Sequence, residues 1–194
     1  MNLEQSTHLS NNLPDAEYLQ AWLIKKILPL NQTTMLYAQE DHYKSFLALD
    51  IGMMVQNGVS SLDVTQTARV LYLCLENQIG FKERVQAIHL ANPSYEPILI
   101  NSLQFDICNS KVVERYIEYC IRNGIGFVII DTLSHALLFG DESNPHTARD
   151  VRNAFTNFNS NKITILVVHH TGKNDSAGAR GSAILTYDLS SRLR

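Results

Sequence analysis

The chemistry legible in this chain begins at Lys44 and Ser45. A phosphate-binding loop has the form G-x-x-x-x-G-K-[ST] between a strand and a helix. Its backbone N–H groups wrap a β-phosphate, its lysine meets the β- and γ-oxygens, and its hydroxyl binds Mg²⁺. The eight residues here are Ala38, Gln39, Glu40, Asp41, His42, Tyr43, Lys44 and Ser45, so the spacing and the Lys-Ser pair stand while both glycines are replaced. Alanine at position 38, if forced to positive φ, would cost on the order of 1 kcal/mol relative to glycine. Tyr43 crowds the helix start unless its side chain points away from the loop. The acids weigh more: one carboxylate about 5 Å from a phosphate charge, at an effective dielectric of ~20, repels it by roughly 3 kcal/mol before screening. Two readings stay open. Either Gln39, His42, Tyr43, Lys44 and Ser45 cradle a nucleotide's phosphates while Glu40 and Asp41 turn outward to water, or the segment is a plain strand–loop–helix.

Other ionisable residues follow apolar runs. Glu76 comes after residues 70–75, where a carboxylate can polarise an attacking water or simply occupy a solvated turn. Asp131 ends the run 126–130, the pattern of an acid that holds Mg²⁺ through water, so Ser45 and Asp131 are the candidate metal residues. His169 and His170 follow residues 163–168 and can read a γ-phosphate. A zinc site lacks further Cys or His at suitable spacing. Beyond them, Lys173 and the small, locally basic stretch 174–182, with Gly178, Arg180 and Gly181, can touch DNA phosphates or form an ordinary surface loop.

These residues need elements to position them. Residues 34–38, 70–75, 127–130 and 163–168 are apolar without alternation, as in strands covered on both faces, and 97–100 reads as extended. Helices are expected over 45–56 with a stop at Asn57-Gly58, over 80–90, over 111–122 with a stop at Asn123-Gly124, and over 147–158 from a start near Pro145. Residues 18–27, with Leu19, Trp22, Leu23 and Ile27 at helical spacing, predict a short packing helix. Strands alternating with helices predict an α/β three-layer fold with a mostly parallel sheet, whose ligands sit at the carboxyl ends of the strands. Residues 1–15 read as a flexible tail and 16–194 as one domain.

Composition sets outer bounds. The chain has 194 residues, 45% hydrophobic and 18% charged, which excludes a disordered chain. Its 16 basic and 19 acidic residues give −3, which excludes a basic coat for nucleic acid but not a local patch. Cys74, Cys108 and Cys120 are scattered among apolar neighbours and read as free thiols of a reducing compartment. With no secretory pattern and no uninterrupted apolar span, a cytoplasmic protein with no membrane partner is expected.

The blocks Lys44-Ser45-Phe46-Leu47-Ala48-Leu49-Asp50, Val70-Leu71-Tyr72-Leu73, Ile129-Ile130-Asp131-Thr132-Leu133, His169-His170-Thr171-Gly172-Lys173 and Gly178-Ala179-Arg180-Gly181-Ser182 resemble, in order, the RecA-fold AAA-type ATPases related to the plasmid RepA replicative helicase. The resemblance implies a RecA-like P-loop NTPase fold, ATP and Mg²⁺ as ligands, and a replication- or recombination-type helicase role. It implies Lys44 and Ser45 as Walker A residues, Asp131 as Walker B, Glu76 as catalytic glutamate and His170, with His169, as γ-phosphate sensor. It further implies a homo-oligomeric ring in which Arg192 reaches a neighbour's nucleotide and Arg180 faces single-stranded DNA. By the same comparison the Walker A motif is degenerate and the fold is C-terminally short. The expected activity is Mg²⁺-ATP hydrolysis coupled to DNA; the alternative is an inactive relative that serves as a binding or assembly protein.

Overall fold

Apolar runs without alternation require cover on both faces of a sheet, and the computed structural model supplies it. The structure describes residues 20–39, 42–76, 78–138, 140, 144–170 and 191–193. In chain order the elements are β1 (Trp22–Ile24), β2 (Leu28–Pro29), β3 (Thr33–Ala38), α1 (Lys44–Asn57), a 3₁₀ turn (Ser60–Leu62), β4 (Arg69–Cys74), α2 (Gln78–Ala91), β5 (Leu99–Asn101), α3 (Ser110–Arg122), β6 (Ile125–Asp131), α4 (Leu133–Ala136), α5 (Pro145–Ser160), β7 (Thr164–His170) and β8 (Ser191–Leu193).

Among the described residues, six strands form the central sheet in the order β5-β4-β6-β7-β3-β8, and every neighbouring pair is parallel. The expected α/β three-layer architecture is present, consistent with a RecA-like P-loop NTPase fold. Parallel pairing sends each connection back across a face. Side chains of the strands therefore sort by parity into two cores. Leu71, Leu73, Val128, Ile130, Ile165 and Val167 pack with α3, α4 and α5. Leu36, Val70, Tyr72, Phe127, Ile129, Leu166 and Val168 pack with α1, α2 and the β1–β2 hairpin.

The register gives the carboxyl edge a step. Cys74 pairs with Asp131 and Asp131 with Val168, whereas His170 pairs with Ala38, two residues further out. At about 3.3 Å per residue, Asp131 lies roughly 7 Å deeper than the ends of β3 and β7.

Local signals account for the helix ends. Gly58 closes α1 at φ 66°, the left-handed conformation that glycine adopts without penalty. Asn109 accepts hydrogen bonds from the N–H groups of Lys111 and Val112 to start α3, and Asn144 accepts one from His146 to start α5 ahead of Pro145. One expectation fails: the helix over 18–27 is replaced, within the described residues, by β1, a turn and β2. Leu23, Ile24 and Leu28 of that hairpin are buried against α1's side of the sheet. The apolar spacing that suggested a helix arises because a tight turn brings residues from both strands onto the same core.

Gly52 lets α1 sit directly on the sheet. A Cβ there would stand 2.9 Å from Ile129 Cδ1 and 3.4 Å from Val70 Cγ1. Substitution of Gly52 by Val is expected to overpack this contact and destabilise the fold by about 1–3 kcal/mol. Urea unfolding, read as a lower midpoint at unchanged slope, checks it.

Candidate active site

The first residues of a helix carry N–H groups without intrahelical partners and a partial positive charge. Helix α1 directs this end at the carboxyl edge of the sheet, with Lys44 and Ser45 as its first two residues. Tyr43, which takes the place of the second consensus glycine, is the N-cap at φ 53° and ψ 21°, the left-handed region. Tyr43 is 83% exposed, so its ring stands in solvent rather than in the core. The backbone demand for glycine thus falls on Tyr43; Ala38 ends β3 and is not among the residues with positive φ. Lys44 is 6% exposed and its ammonium donates to the Gln39 carbonyl. The Gln39 side is exposed.

Asp131 lies at the floor of the edge, 3% exposed. Ser45 Oγ donates to its Oδ1 at 3.1 Å, and the Tyr72 hydroxyl donates to its Oδ2 at 2.6 Å. Burial pushes the Asp131 carboxyl above its usual pKa; the two hydroxyl donors pull it back, Glu76 pushes it up and Arg84 pulls it down. Burial, followed by the Asp131 charge, pushes Tyr72 well above the usual phenol range.

Glu76 follows β4, half-buried, with its Oε2 3.8 Å from His170 Nε2 and 3.7 Å from His135 Nδ1. His135 comes from α4, where its Nδ1 is 2.9 Å from Thr132 Oγ1. A cleft of about 360 Å³ joins these groups and is bordered by His42, Tyr43, Lys44, Ser45, Glu76, Asp131 and His170. Seven of the residues singled out from sequence therefore meet in one place. His169 does not border the cleft; it is 1% exposed within β7. Arg192 lies on β8, whose backbone pairs it with Met35 of β3. Glu40, Asp41, Lys173 and Arg180 lie outside the described residues.

Among the described residues, three more border the cleft: Phe46, Phe81 and Arg84. Of these, Arg84 carries a charge that no sequence motif marks. Its signal was a charge on an otherwise apolar stripe, since Phe81, Val85 and Ile88 of α2 pack inward at helical spacing around it. Tyr72 was missed because it reads as one more member of an apolar strand.

The arrangement can bind an anion at a helix N-terminus beside two cations, hold a hydrated divalent ion on hydroxyl and carboxylate oxygens, and offer a carboxylate base to water. A family model described as an AAA domain matches residues 8–176. No curated protein matches the chain.

Two measurements follow from this geometry. The raised pKa of Asp131 means that its buried charge costs stability above that pKa and nothing once pH falls below the ordinary value of 3.8. Replacement by Asn is expected to raise the melting temperature of the ligand-free protein at neutral pH, with the gain shrinking as the pH is lowered. At position 43, substitution of Tyr by Gly is expected to stabilise the protein by up to ~1 kcal/mol, because left-handed strain is relieved and little packing is lost. Denaturant titration reads that gain.

Proposed function

The chain belongs to the AAA domain family of P-loop ATPases, and from that premise we propose that this cleft binds Mg²⁺-ATP and hydrolyses it. The observation that carries the proposal is the Lys44-Ser45 helix start joined to the strand-end carboxylate of Asp131 through the Ser45 hydroxyl.

Each residue has work suited to its place. Lys44 exchanges the Gln39 carbonyl for the β- and γ-phosphate oxygens, and the first N–H groups of α1 donate to the same phosphates. Arg84 supplies a second cation from α2. The hard oxygen donors of Ser45 and Asp131 fit a small cation that keeps most of its water. Bound Mg²⁺ supplies neutralisation of the charge on the β- and γ-oxygens. Glu76 accepts the proton of the attacking water, and the two imidazoles 3.7 and 3.8 Å from its Oε2 orient it. His170 stands beside both Glu76 and the cleft, where a γ-phosphate is felt.

The loop is degenerate in sequence, yet Tyr43 takes up a glycine-like backbone conformation with its ring exposed to solvent. That supports a weakened cradle rather than a lost one. The finer reading is RepA-like: a ring of subunits, Arg192 reaching a neighbour's nucleotide, and Lys173 and Arg180 against single-stranded DNA. It rests on the resemblance of the sequence blocks.

Isothermal titration with Mg²⁺-ATP, paired with a phosphate-release assay, tests the proposal. Wild-type protein is expected to bind and hydrolyse. Lys44→Ala is expected to lose roughly 10–100-fold in affinity, the worth of a charge-assisted hydrogen bond of about 1.5–3 kcal/mol. No heat at millimolar nucleotide, or equal affinity in both proteins, overturns it. Binding with equal background hydrolysis in both proteins points instead to a non-hydrolysing binding protein.

A further inference from the structure

Tyr72 occupies a position where the fold needs only an apolar ring. It stands on β4 between Val70 and Cys74, facing α1 and α2, fully buried. Its ring packs against Phe81 at 4.6 Å between centroids and a 41° tilt. Phenylalanine would satisfy all of that. The hydroxyl adds a polar atom to a core layer, which is unfavourable unless it is hydrogen-bonded. Its partner is Asp131 Oδ2 at 2.6 Å, with the Ser45 carbonyl at 3.3 Å as the longer contact.

The consequence for Asp131 is geometric. An ionised carboxylate accepts at about four lone-pair sites. One on Oδ1 receives Ser45 and one on Oδ2 receives Tyr72. Donors on both oxygens lock the plane of the group, and the Tyr72 donor cannot swing because its ring is enclosed. The sites left over belong to a carboxylate whose orientation is set before any cation arrives. Residues that orient a metal-binding group in this way often matter nearly as much as the ligands themselves.

We propose that Tyr72 is a positioning residue for the divalent-cation site, holding the Asp131 carboxylate in the orientation that receives hydrated Mg²⁺. The inference rests on the nucleotide reading above and assigns no direct contact between Tyr72 and the cation or the nucleotide. Removal of the hydroxyl alone leaves the ring, the phosphate loop and Lys44 in place, so the loss falls on the part of nucleotide affinity that depends on Mg²⁺.

The test is calorimetric titration of ADP into wild-type protein and Tyr72→Phe, each in millimolar Mg²⁺ and again in excess EDTA, with thermal melts of both proteins. The expected result is a Mg²⁺-dependent gain in ADP affinity that is smaller in Tyr72→Phe by roughly 10–100-fold, with equal affinities in EDTA. Equal gains in the two proteins overturn the inference and leave the nucleotide reading standing. A Tyr72→Phe protein without a cooperative melt also overturns it, since the hydroxyl would then serve the fold. Wild-type protein that takes up no ADP in either buffer overturns both.

Discussion

A sheet whose strands all run the same way imposes two conditions at once. Each connection must return across a face, so both faces are buried; and every strand delivers its last residue to the same edge. In this chain the ends of β3, β4, β6 and β7 bear or lead into the phosphate-loop segment, Glu76, Asp131 and His170. Residues far apart in sequence become neighbours because of hydrogen-bond direction, before any side chain interacts. The step in register then makes the edge concave, with Asp131 at the floor and the tips of β3 and β7 as one wall.

The floor is where folding and function pull against each other. A carboxylate with almost no exposure is costly to keep charged. The chain offsets the cost with hydroxyl donors from two other elements, Ser45 on α1 and Tyr72 on β4, and with the cationic field of Arg84. Those three groups come from three different segments, so the charge at Asp131 is tolerable only when α1, α2, β4 and β6 are all in place. The same groups that make the site possible also report that the fold is complete.

Much of this was readable from residue types. The runs 70–75, 127–130 and 163–168 betrayed strands because burial on both faces removes polar alternation, and Asn-Gly pairs marked where α1 and α3 stop. Lys44, Ser45, Glu76, Asp131 and His170 were legible because each follows such a run or opens a helix. What escaped has physical causes. The β1–β2 hairpin mimics helical spacing, because apolar residues on both sides of its turn are buried against the same core. Tyr72 carries a polar tip on an apolar body, and only geometry tells which end matters. Arg84 belongs to no motif; it matters because α2 happens to aim it at the edge. Backbone strain at Tyr43 depends on φ, which the residue's identity does not disclose.

The close seat of α1 has a mechanical side. Ser45 and Gly52 are seven residues apart, about two turns, so they lie along the same side of the helix, one hydrogen-bonded to Asp131 and the other pressed on Ile129 of the same strand. The far end is fastened as well, since the Gln56 side chain accepts from the Val70 N–H at 3.0 Å and the Asn57 side chain accepts from the Glu96 N–H at 2.7 Å. The helix is thus tied along its length to β6, to β4 and to the segment before β5. The seat of the phosphate-loop lysine is thereby built into the same helix that closes one face of β4 and β6.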